Sequence, residues 1–355
     1  MRKYQILETL ESDWRAGSKA VSDVSEIAKA RGYYLIKMKL PNGGMSIFNR
    51  IRRQMIYFWD WLNAYRSVQS NSIMLLQHPF RYKQFGREYV LNKLKKKKNV
   101  KIISVVHDVE ELRTDKRERY AKHEFDVMIQ VADKLIVHNE KMQEFFLNKG
   151  VDKTKLINLQ IFDYLQESNE NVVPRFAKAI SIAGNLDTEK SGYISQLGRV
   201  KGIHINLYGP NYDNQLNNCK NIKYNGCFPA EVIPYKLNSG FGLVWDGKSV
   251  DVCVGGFGEY LKYNNPHKLS LYISSGIPVV IWKKAAEASF VEKKGIGICV
   301  ESLLELESVF SVMTENDYHE MVKNVRKISS KLQSGFYMSK ALETAEDLAC
   351  KVEIK

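Results

Sequence analysis

Segments typical of β-strands alternate with segments typical of α-helices along most of this sequence. The strand-like run at residues 72–77 is almost continuously apolar, as in a strand buried on both faces of a parallel sheet, and residues 101–106 form a further predicted strand. Helical patterns follow them at residues 85–98 and 116–132, and residues 46–65 carry an aromatic-rich face that we expect to pack on the sheet. Because strand, helix and next parallel strand form a right-handed crossover, the pattern predicts an α/β fold with doubly wound parallel sheets.

A polar segment near the middle of the chain divides this pattern in two. Residues 166–171 contain no apolar side chain and Pro174 follows them, which is typical of a linker. The alternation of strands and helices then begins again, so we predict two Rossmann-like domains that face a cleft. The predicted boundaries are an N-terminal domain over 1–163, a linker over 164–177, a second domain over 178–334 and, able to cross back to the first domain, a C-terminal helix over 335–355.

The positive charge is concentrated in the first half of the chain. The 355 residues carry a net charge of +13, and residues 1–163 contribute +12 of it through 31 Lys and Arg against 19 Asp and Glu. With 44% hydrophobic and 11% aromatic residues, the composition excludes global disorder. The charge predicts an anionic partner for the first domain, which can be nucleic acid, a membrane surface or a phosphorylated ligand.

The cysteines and the apolar segments indicate a cytoplasmic protein. Five cysteines without a CxxC pair do not fit a disulfide framework or a zinc ribbon. Acidic residues precede any apolar run at the start, and no segment reaches the roughly 18 apolar residues of a membrane span. We therefore expect a cytoplasmic location, with the inner face of the membrane as an option, and neither a signal peptide nor a membrane-spanning helix.

Histidines directly follow three of the predicted strands. These residues are His78, His107 and His138, and Asp108 comes next to His107. Ligands of parallel sheets bind beyond the carboxyl ends of the strands. A carboxylate beside an imidazole at that edge suits general base catalysis, so His107 and Asp108 are candidate catalytic residues. For any one histidine, a capping or satisfied surface position without function is the more frequent alternative.

The segment 263–280 predicts an anion site. Asn265 is a suitable cap for a helix that starts with Pro266, and Lys268 falls in the first turn of that helix. A lysine is unfavourable beside the positive end of a helix dipole unless an anion such as a diphosphate binds there. The alternative is a solvated lysine that tolerates its position.

Several segments, taken in order, resemble one family of sugar transferases. Residues 263–280 resemble the donor-site signature of GT-B glycosyltransferases, in which proline and lysine open a helix that is followed by Gly and Pro-Val-Val. With the other segments, the chain resembles the bacterial family of the glucosyltransferase-3 enzymes of serine-rich adhesin glycosylation and the related β-1,6-galactofuranosyltransferases. Those other segments are residues 16–19, 78–80, 106–109, 181–186, 207–210 and 295–300.

The resemblance implies a UDP-sugar donor on the second domain and a saccharide acceptor on the first. His78 is the candidate acceptor contact. The reaction implied is transfer of a hexose, glucose first, to an acceptor such as GlcNAc on a glycosylated serine-rich adhesin; galactofuranosyl or other transfer in cell-surface polysaccharide synthesis is the alternative. The donor-site residues that the resemblance implies are Gly17, Asn185, Lys190, Tyr208, Asn265 and Lys268.

Two motifs missing from the sequence bear on the mechanism. The chain contains no Asp-x-Asp motif, which metal-dependent sugar transferases of the other common fold need, so we expect no metal site and no cofactor. Retaining members of the superfamily carry a glutamate pair along the donor helix, whereas this chain has no glutamate near Pro266 and Glu287 lies one strand later. We therefore expect inversion, with Lys190 and Lys268 stabilising the departing diphosphate.

Proteins of other classes share some of these features. The lysine run at residues 93–98 suits either a binding patch or a solvated helix end. No motif of a known nucleic-acid-binding fold is present, and we expect no nucleic-acid partner. A nucleic-acid-binding protein, suggested by the net charge and the lysine run, and a nucleotide-sugar-binding protein without activity are the two rivals from other classes. Peripheral membrane association and a homo-oligomeric state, the latter from the resemblance alone, are further expectations.

Overall fold

The first half of the chain alternates strands and helices as the sequence predicts. The structure is a computed structural model that describes residues 1–9, 16–41, 46–113, 118–166 and 173–350. The strands are β1 (Lys3–Thr9), β2 (Tyr33–Lys39), β3 (Ile73–His78), β4 (Lys101–Val106), β5 (Lys134–Val137) and β6 (Leu156–Asn158). The helices are α1 (Ala16–Ala30), α2 (Ile47–Ser67), α3 (Arg87–Lys98), α4 (Glu110–Arg113), α5 (Glu118–Val131) and α6 (Glu140–Asn148).

The second half repeats the alternation and ends in a run of helices. Its strands are β7 (Arg175–Ala183), β8 (His204–Tyr208), β9 (Ile222–Tyr224), β10 (Ser239–Val244), β11 (Val279–Trp282) and β12 (Gly297–Val300). Its helices are α7 (Gly256–Tyr260), α8 (His267–Ser274), α9 (Ala288–Lys294), α10 (Leu306–Val312), α11 (Glu315–Gln333) and α12 (Phe336–Cys350). Within the described ranges, no helix is both long enough and apolar enough to cross a membrane.

Each half builds one six-stranded sheet with parallel pairing between its described strands. The strand orders are β2-β1-β3-β4-β5-β6 and β12-β11-β10-β7-β8-β9. The first strand of each half lies inside its sheet, with later strands added on both sides, so the winding reverses beside β1 and β7. Doubly wound sheets bind ligands in the crevice at the carboxyl ends of the strands at such a reversal. The predicted fold class of two doubly wound parallel sheets is confirmed.

The C-terminal helix α12 packs on the first half of the chain. Its Glu346 accepts hydrogen bonds from Lys3 at 2.9 Å and from the hydroxyl of Tyr33 at 3.0 Å. Four apolar residues of this helix share a core with residues of α1, β3 and β4. They are Met338, Ala341, Leu342 and Ala345. The second half is thus tied to the first at both ends.

The connection between the halves differs from the predicted linker. β7 begins at Arg175, inside the range 164–177, because the outer end of this strand pairs with Ser239 of β10. Gln166 donates from its side-chain amide to the carbonyl oxygen of Ser274 at 2.7 Å. The rest of the polar segment 166–171 lies outside the described residues.

Helix α2 packs on the sheet with a face that the sequence pattern does not single out. The buried residues of this helix are Tyr57, Trp61 and Ala64, and the indole N–H of Trp61 donates to Gln84 at 2.7 Å. The sequence pattern predicts a different packing face, which consists of Ile47, Ile51, Met55, Phe58, Trp59 and Leu62. Four of these six residues are exposed, with Ile47 at 76% and Trp59 at 51%. The prediction was wrong because α2 has two apolar faces, and periodicity alone does not say which one meets the sheet.

The lysine run closes α3. Lys98 donates from its ammonium to the carbonyl oxygens of Tyr65 and Val68 at 2.6 and 2.5 Å. Lys95 pairs with Asp133 at 3.0 Å. Cations are favourable at the C-terminal end of a helix dipole. The ammonium groups of these two lysines are therefore bound by other parts of the chain, which favours the helix-end interpretation of the run over a binding patch.

Candidate active site

The two sheets face each other across a cavity of about 820 Å³. The first half lines it with the carboxyl ends of β1 and β3, the residues that follow β3 and β4, and parts of α4 and α5. The second half contributes residues 189–190, 247–248 and 254–257. In the glycine-rich segment 255–258, residues 256–258 belong to the short helix α7. The carboxyl ends of both sheets thus form one cleft between the halves, where this topology binds ligands.

The structure separates the predicted site residues into groups. Those that line the cavity are His78, His107, Asp108 and Lys190. Those at the adjoining ends of β7, β8 and α8 are Asn185, Tyr208 and Lys268. Asn265 is buried between the two halves. Gly17 is the second residue of α1 and not part of the preceding connection, most of which, residues 10–15, lies outside the described residues.

His107 is held in the cleft wall as a neutral imidazole. Its Nε2–H donates to the side-chain oxygen of Gln77 at 2.7 Å, and its ring stacks on Phe162 with the centroids 5.5 Å apart. Burial, with the nearby His138 and His267, lowers the pKa of His107 to about 3. Because so weak a base takes up little proton near neutral pH, His107 is the poorer of the two candidate bases.

Asp108 is the better candidate base, because it is accessible from the cavity and its pKa is raised. It lines the cavity, its side chain is 33% exposed, and it forms an ion pair with Arg113. Burial in the cleft wall raises the pKa of Asp108 to about 6, against the opposing effect of Arg113. The guanidinium of Arg113 lies 5.4 Å from the ring of Phe257, across the cleft. Asp108 is therefore ionised at neutral pH, reachable from the cleft, and a stronger base than an ordinary aspartate.

His78 is the last residue of β3 and borders the cleft from a buried position, and a turn follows it. Its Nδ1 lies 2.5 Å from the hydroxyl of Ser104, and only 1% of the residue is exposed. The peptide bond between His78 and Pro79 is cis. Phe80 donates from its backbone N–H to Glu124 at 3.0 Å, and its carbonyl oxygen accepts from the hydroxyl of Tyr120 at 2.8 Å. An acceptor contact at His78 stays a prediction.

A buried ion pair between Arg87 and Glu124 supports that turn. The guanidinium donates to both carboxylate oxygens, at 3.1 and 2.5 Å, and lies 4.5 Å from the ring of Phe80. The two side chains are only 1% and 3% exposed. Glu124 makes the largest favourable interaction with the buried guanidinium, so the loss of either partner leaves a buried charge without its main partner.

Replacing Glu124 with alanine should therefore lower the free energy of unfolding by about 3–5 kcal/mol. Urea denaturation followed by circular dichroism measures this change. Glu320→Ala is the matched control, because Glu320 pairs with Lys323 in solvent and its side chain is 72% exposed. Equal stability of the Glu124 and Glu320 variants would show that the buried pair does not hold the turn.

Glu8 is a cleft residue that the sequence analysis missed. It lies near the carboxyl end of β1, lines the cavity, and accepts the backbone N–H of Arg81 at 3.0 Å. Burial raises the pKa of Glu8 to about 7. Its position could have been predicted from the strand pattern. The winding of the sheet reverses beside β1, ligands bind at such a reversal, and Glu8 lies near the carboxyl end of this strand.

On the second half, two glycines bring the ends of β7 and β8 together. A Cβ on Gly209 would lie 1.7 Å from the carbonyl oxygen of Gly184, so only glycine fits there. Lys268, in the first turn of α8, has its Cε 3.6 Å from the position of a Cβ on Gly184. Its ammonium lies 3.4 Å from the carbonyl oxygen of Trp245 and 3.6 Å from Asp246. These long contacts leave donors of Lys268 available to a further anion.

The other predicted donor residues differ in exposure. Asn185 is exposed, and its side-chain oxygen accepts from Asn211 at 2.8 Å. Tyr208 is half-buried beside Phe228, and burial raises the pKa of its hydroxyl. Lys190 is exposed on the cavity wall. Their predicted roles toward a nucleotide and a diphosphate stay predictions.

Asn265 does not cap α8, contrary to the sequence prediction. The helix begins at His267 after an extended Pro266, without a side-chain cap. The Asn265 amide instead donates to the carbonyl oxygens of His138 at 2.6 Å and Gln160 at 3.0 Å, and accepts from Asn139 at 2.7 Å. These partners belong to the first half, so Asn265 positions the start of α8 against that half, and a diphosphate contact through this amide would have to replace those bonds.

Glu287 also lies away from the cleft lining. It is 2% exposed, and burial raises its pKa to about 8 despite a hydrogen bond with Asn139.

In the described part of the chain, no group of three or more His, Cys, Asp or Glu side chains is arranged to hold a metal ion.

Comparisons with known proteins match both halves of the chain. Residues 3–161 match the family described as Glucosyltransferase 3-like, N-terminal domain, and residues 180–345 match Glucosyltransferase 3-like, C-terminal domain. The chain is 37% identical to beta-1,6-galactofuranosyltransferase WbbI of Escherichia coli (strain K12) over 70% of its own length and 72% of the relative. It is 25% identical to Glucosyltransferase 3 of Streptococcus gordonii over 91% of its own length and 92% of the relative.

Solved structures agree on the fold. An alpha-glucosyltransferase (AGT) in complex with UDP superposes with a TM-score of 0.60, covering 99% of this chain and all of the other at 13% identity. At such low identity the similarity concerns the fold alone, and the fold is that of the GT-B glycosyltransferases. Since the family match covers both halves in order, the chain belongs to the glucosyltransferase 3-like family of GT-B glycosyltransferases.

Proposed function

We propose that this chain transfers a hexose, glucose in the first instance, from a UDP-sugar to a saccharide acceptor by a metal-independent, inverting displacement. The observation that carries the proposal is the composition of the cleft. Asp108, a carboxylate with a raised pKa, lines it from the first half, and the cationic Lys190 lines it from the second. A base and a cation on opposite sides of one cavity suit attack on a sugar whose leaving group is an anion.

The proposed chemistry assigns a role to each of these groups. Asp108 accepts the proton of the acceptor hydroxyl, while the oxygen of that hydroxyl forms a bond to the anomeric carbon of the donor. The bond from that carbon to the diphosphate breaks, and its electron pair leaves with UDP. Lys190, Lys268 and the N-terminal end of α8 stabilise the charge that develops on the diphosphate. A single displacement from the opposite face inverts the anomeric configuration.

Two donors deserve the first tests, because the relatives' names point to different sugars. Glucosyltransferase 3 aligns with more of this chain, whereas WbbI, by name a galactofuranosyltransferase, shares the higher identity. UDP release should therefore be measured with UDP-glucose and UDP-galactofuranose, each with and without GlcNAc-bearing acceptors. The proposal expects release that depends on an acceptor. Binding of UDP without any such release would instead favour a nucleotide-sugar-binding protein without activity.

Turnover should not require a divalent cation. Lys190 and Lys268 are proposed to supply the positive charge that a metal supplies in other transferases. Acceptor-dependent UDP release should therefore be the same in EDTA as in magnesium or manganese. Loss of turnover in EDTA that manganese restores would overturn this part of the proposal.

The pH dependence should follow Asp108. A general base acts in its ionised form, and this form is lost as the pH falls through the pKa of about 6. We expect kcat/KM to be level above that value and to fall about tenfold per pH unit below it. A profile of UDP release against pH measures this. A level profile down to pH values near the ordinary pKa of aspartate would exclude Asp108 as the base.

A further inference from the structure

Helix α2 carries an apolar face that nothing in the described part of the chain covers. We call it the α2 face, and it consists of residues exposed by 51–82%: Ile47, Phe48, Ile51, Met55 and Trp59. Their spacing places them along one side of the helix, over roughly 18 Å at 1.5 Å per residue. Exposed apolar residues in a contiguous patch, unlike scattered ones, mark a site of interaction.

The patch continues onto the neighbouring turn. Phe85, 60% exposed, has its ring 5.6 Å from that of Phe58 of α2. The backbone N–H of Phe85 donates to the side chain of Gln54 at 2.8 Å, which fixes the turn on the helix. The α2 face and Phe85 therefore form one apolar surface that spans α2 and the turn bonded to it.

The charges around this surface identify its partner. Arg50 and Arg52 are exposed on either side of the α2 face, and Lys83 is exposed beside Phe85. The first 163 residues carry nearly all of the excess positive charge of the chain. A second copy docked here would bring cationic borders against each other, whereas an anionic bilayer offers both an apolar interior and negative headgroups.

We propose that the α2 face docks the first half of the protein onto an anionic lipid bilayer. Phe48 and Trp59 insert at the level where aromatic rings are favourable in membranes, and Arg50 and Arg52 reach the phosphates while their stems cover apolar surface. The helix lies in the plane of the interface, as amphipathic helices with cationic flanks do. The proposal does not depend on which sugar is transferred.

Co-sedimentation with vesicles tests this surface on the full chain. The protein should bind vesicles rich in phosphatidylglycerol and bind phosphatidylcholine vesicles much more weakly. Arg50→Gln with Arg52→Gln should weaken binding to the anionic vesicles about tenfold or more, since each basic residue near such a surface contributes about 1 kcal/mol. Phe48→Ser with Trp59→Ser should weaken it as well. Val312→Ser is the control, because Val312 is 79% exposed on the second half.

Tryptophan fluorescence reports insertion of the α2 face into the bilayer even in variants that still bind vesicles. Trp59 is exposed, whereas Trp61, Trp245 and Trp282 are at most 1% exposed. Brominated lipid in the vesicles should quench wild-type fluorescence more than that of Trp59→Phe, which keeps an aromatic ring on the face. Absence of binding to anionic vesicles, or equal binding by all variants, would overturn the proposal. So would dissociation of an oligomer by Phe48→Ser with Trp59→Ser in the absence of vesicle binding, since the face would then join two copies.

Discussion

Replacing Asp108 with asparagine is expected to lower kcat by about 10²- to 10⁴-fold, the range that general base catalysis contributes. Asparagine has nearly the same shape and can still accept a hydrogen bond from Arg113, but it cannot take up a proton at neutral pH. UDP affinity should be unchanged, because Asp108 lies on the first half and the proposed donor site on the second. Steady-state UDP release and calorimetric UDP binding measure the two effects separately.

Glu110→Gln is the matched control for this variant. Glu110 also lines the cavity and contacts Arg113, at 3.3 Å, so its replacement perturbs the same ion-pair group without removing the proposed base. If Asp108 is the base, kcat/KM of the residual activity in Asp108→Asn should no longer fall at acid pH. If Asp108 has only a structural role, the variant should keep that fall. Near-normal kcat in Asp108→Asn with the fold intact would remove Asp108 from the mechanism.

The second large effect concerns Lys268. Lys268→Ala should lower kcat by about 10²- to 10³-fold, as the loss of one preorganised charge at a developing anion does. UDP should also bind less tightly, since part of the interaction exists before the reaction. The main effect falls on kcat, because the negative charge on the diphosphate grows as its bond to the sugar breaks.

Lys262→Ala tests whether Lys268 acts by position or merely by adding charge. Lys262 comes six residues earlier and pairs with Glu259 on another surface of the same half, away from the cleft lining. Its replacement removes the same charge and should leave kcat unchanged. Equal losses in both variants would reduce the role of Lys268 to the overall charge of the domain, and no loss in Lys268→Ala would exclude it from catalysis.

The fold could be predicted because its signals are local. Each strand and each helix shows its periodicity within its own segment, and parallel winding then follows from the alternation. The cleft follows as well, since the carboxyl ends of parallel strands meet at one edge. That reasoning found His107 and Asp108 directly after β4, in the wall of the cavity.

The errors arose where a distant partner decides the outcome. The capping rule for Asn265 considers only its own helix, yet its amide bonds to residues more than a hundred positions away in the other half. The packing face of α2 is another case, because the helix has two apolar faces and only contacts with the sheet determine that Tyr57 and Trp61 are buried. The choice between His107 and Asp108 also required the structure, since burial weakens the first as a base and strengthens the second.

The anomeric configuration of the product tests the central claim most directly, which is that Asp108 drives a single inverting displacement. Proton NMR of the reaction between UDP-α-glucose and a GlcNAc-bearing acceptor, in EDTA, reports this configuration as the product forms. The account predicts a β-linked glucoside that forms with the wild type and is nearly absent with Asp108→Asn. An α-linked product would contradict it, since retention requires a mechanism in which no base drives the acceptor from the opposite face.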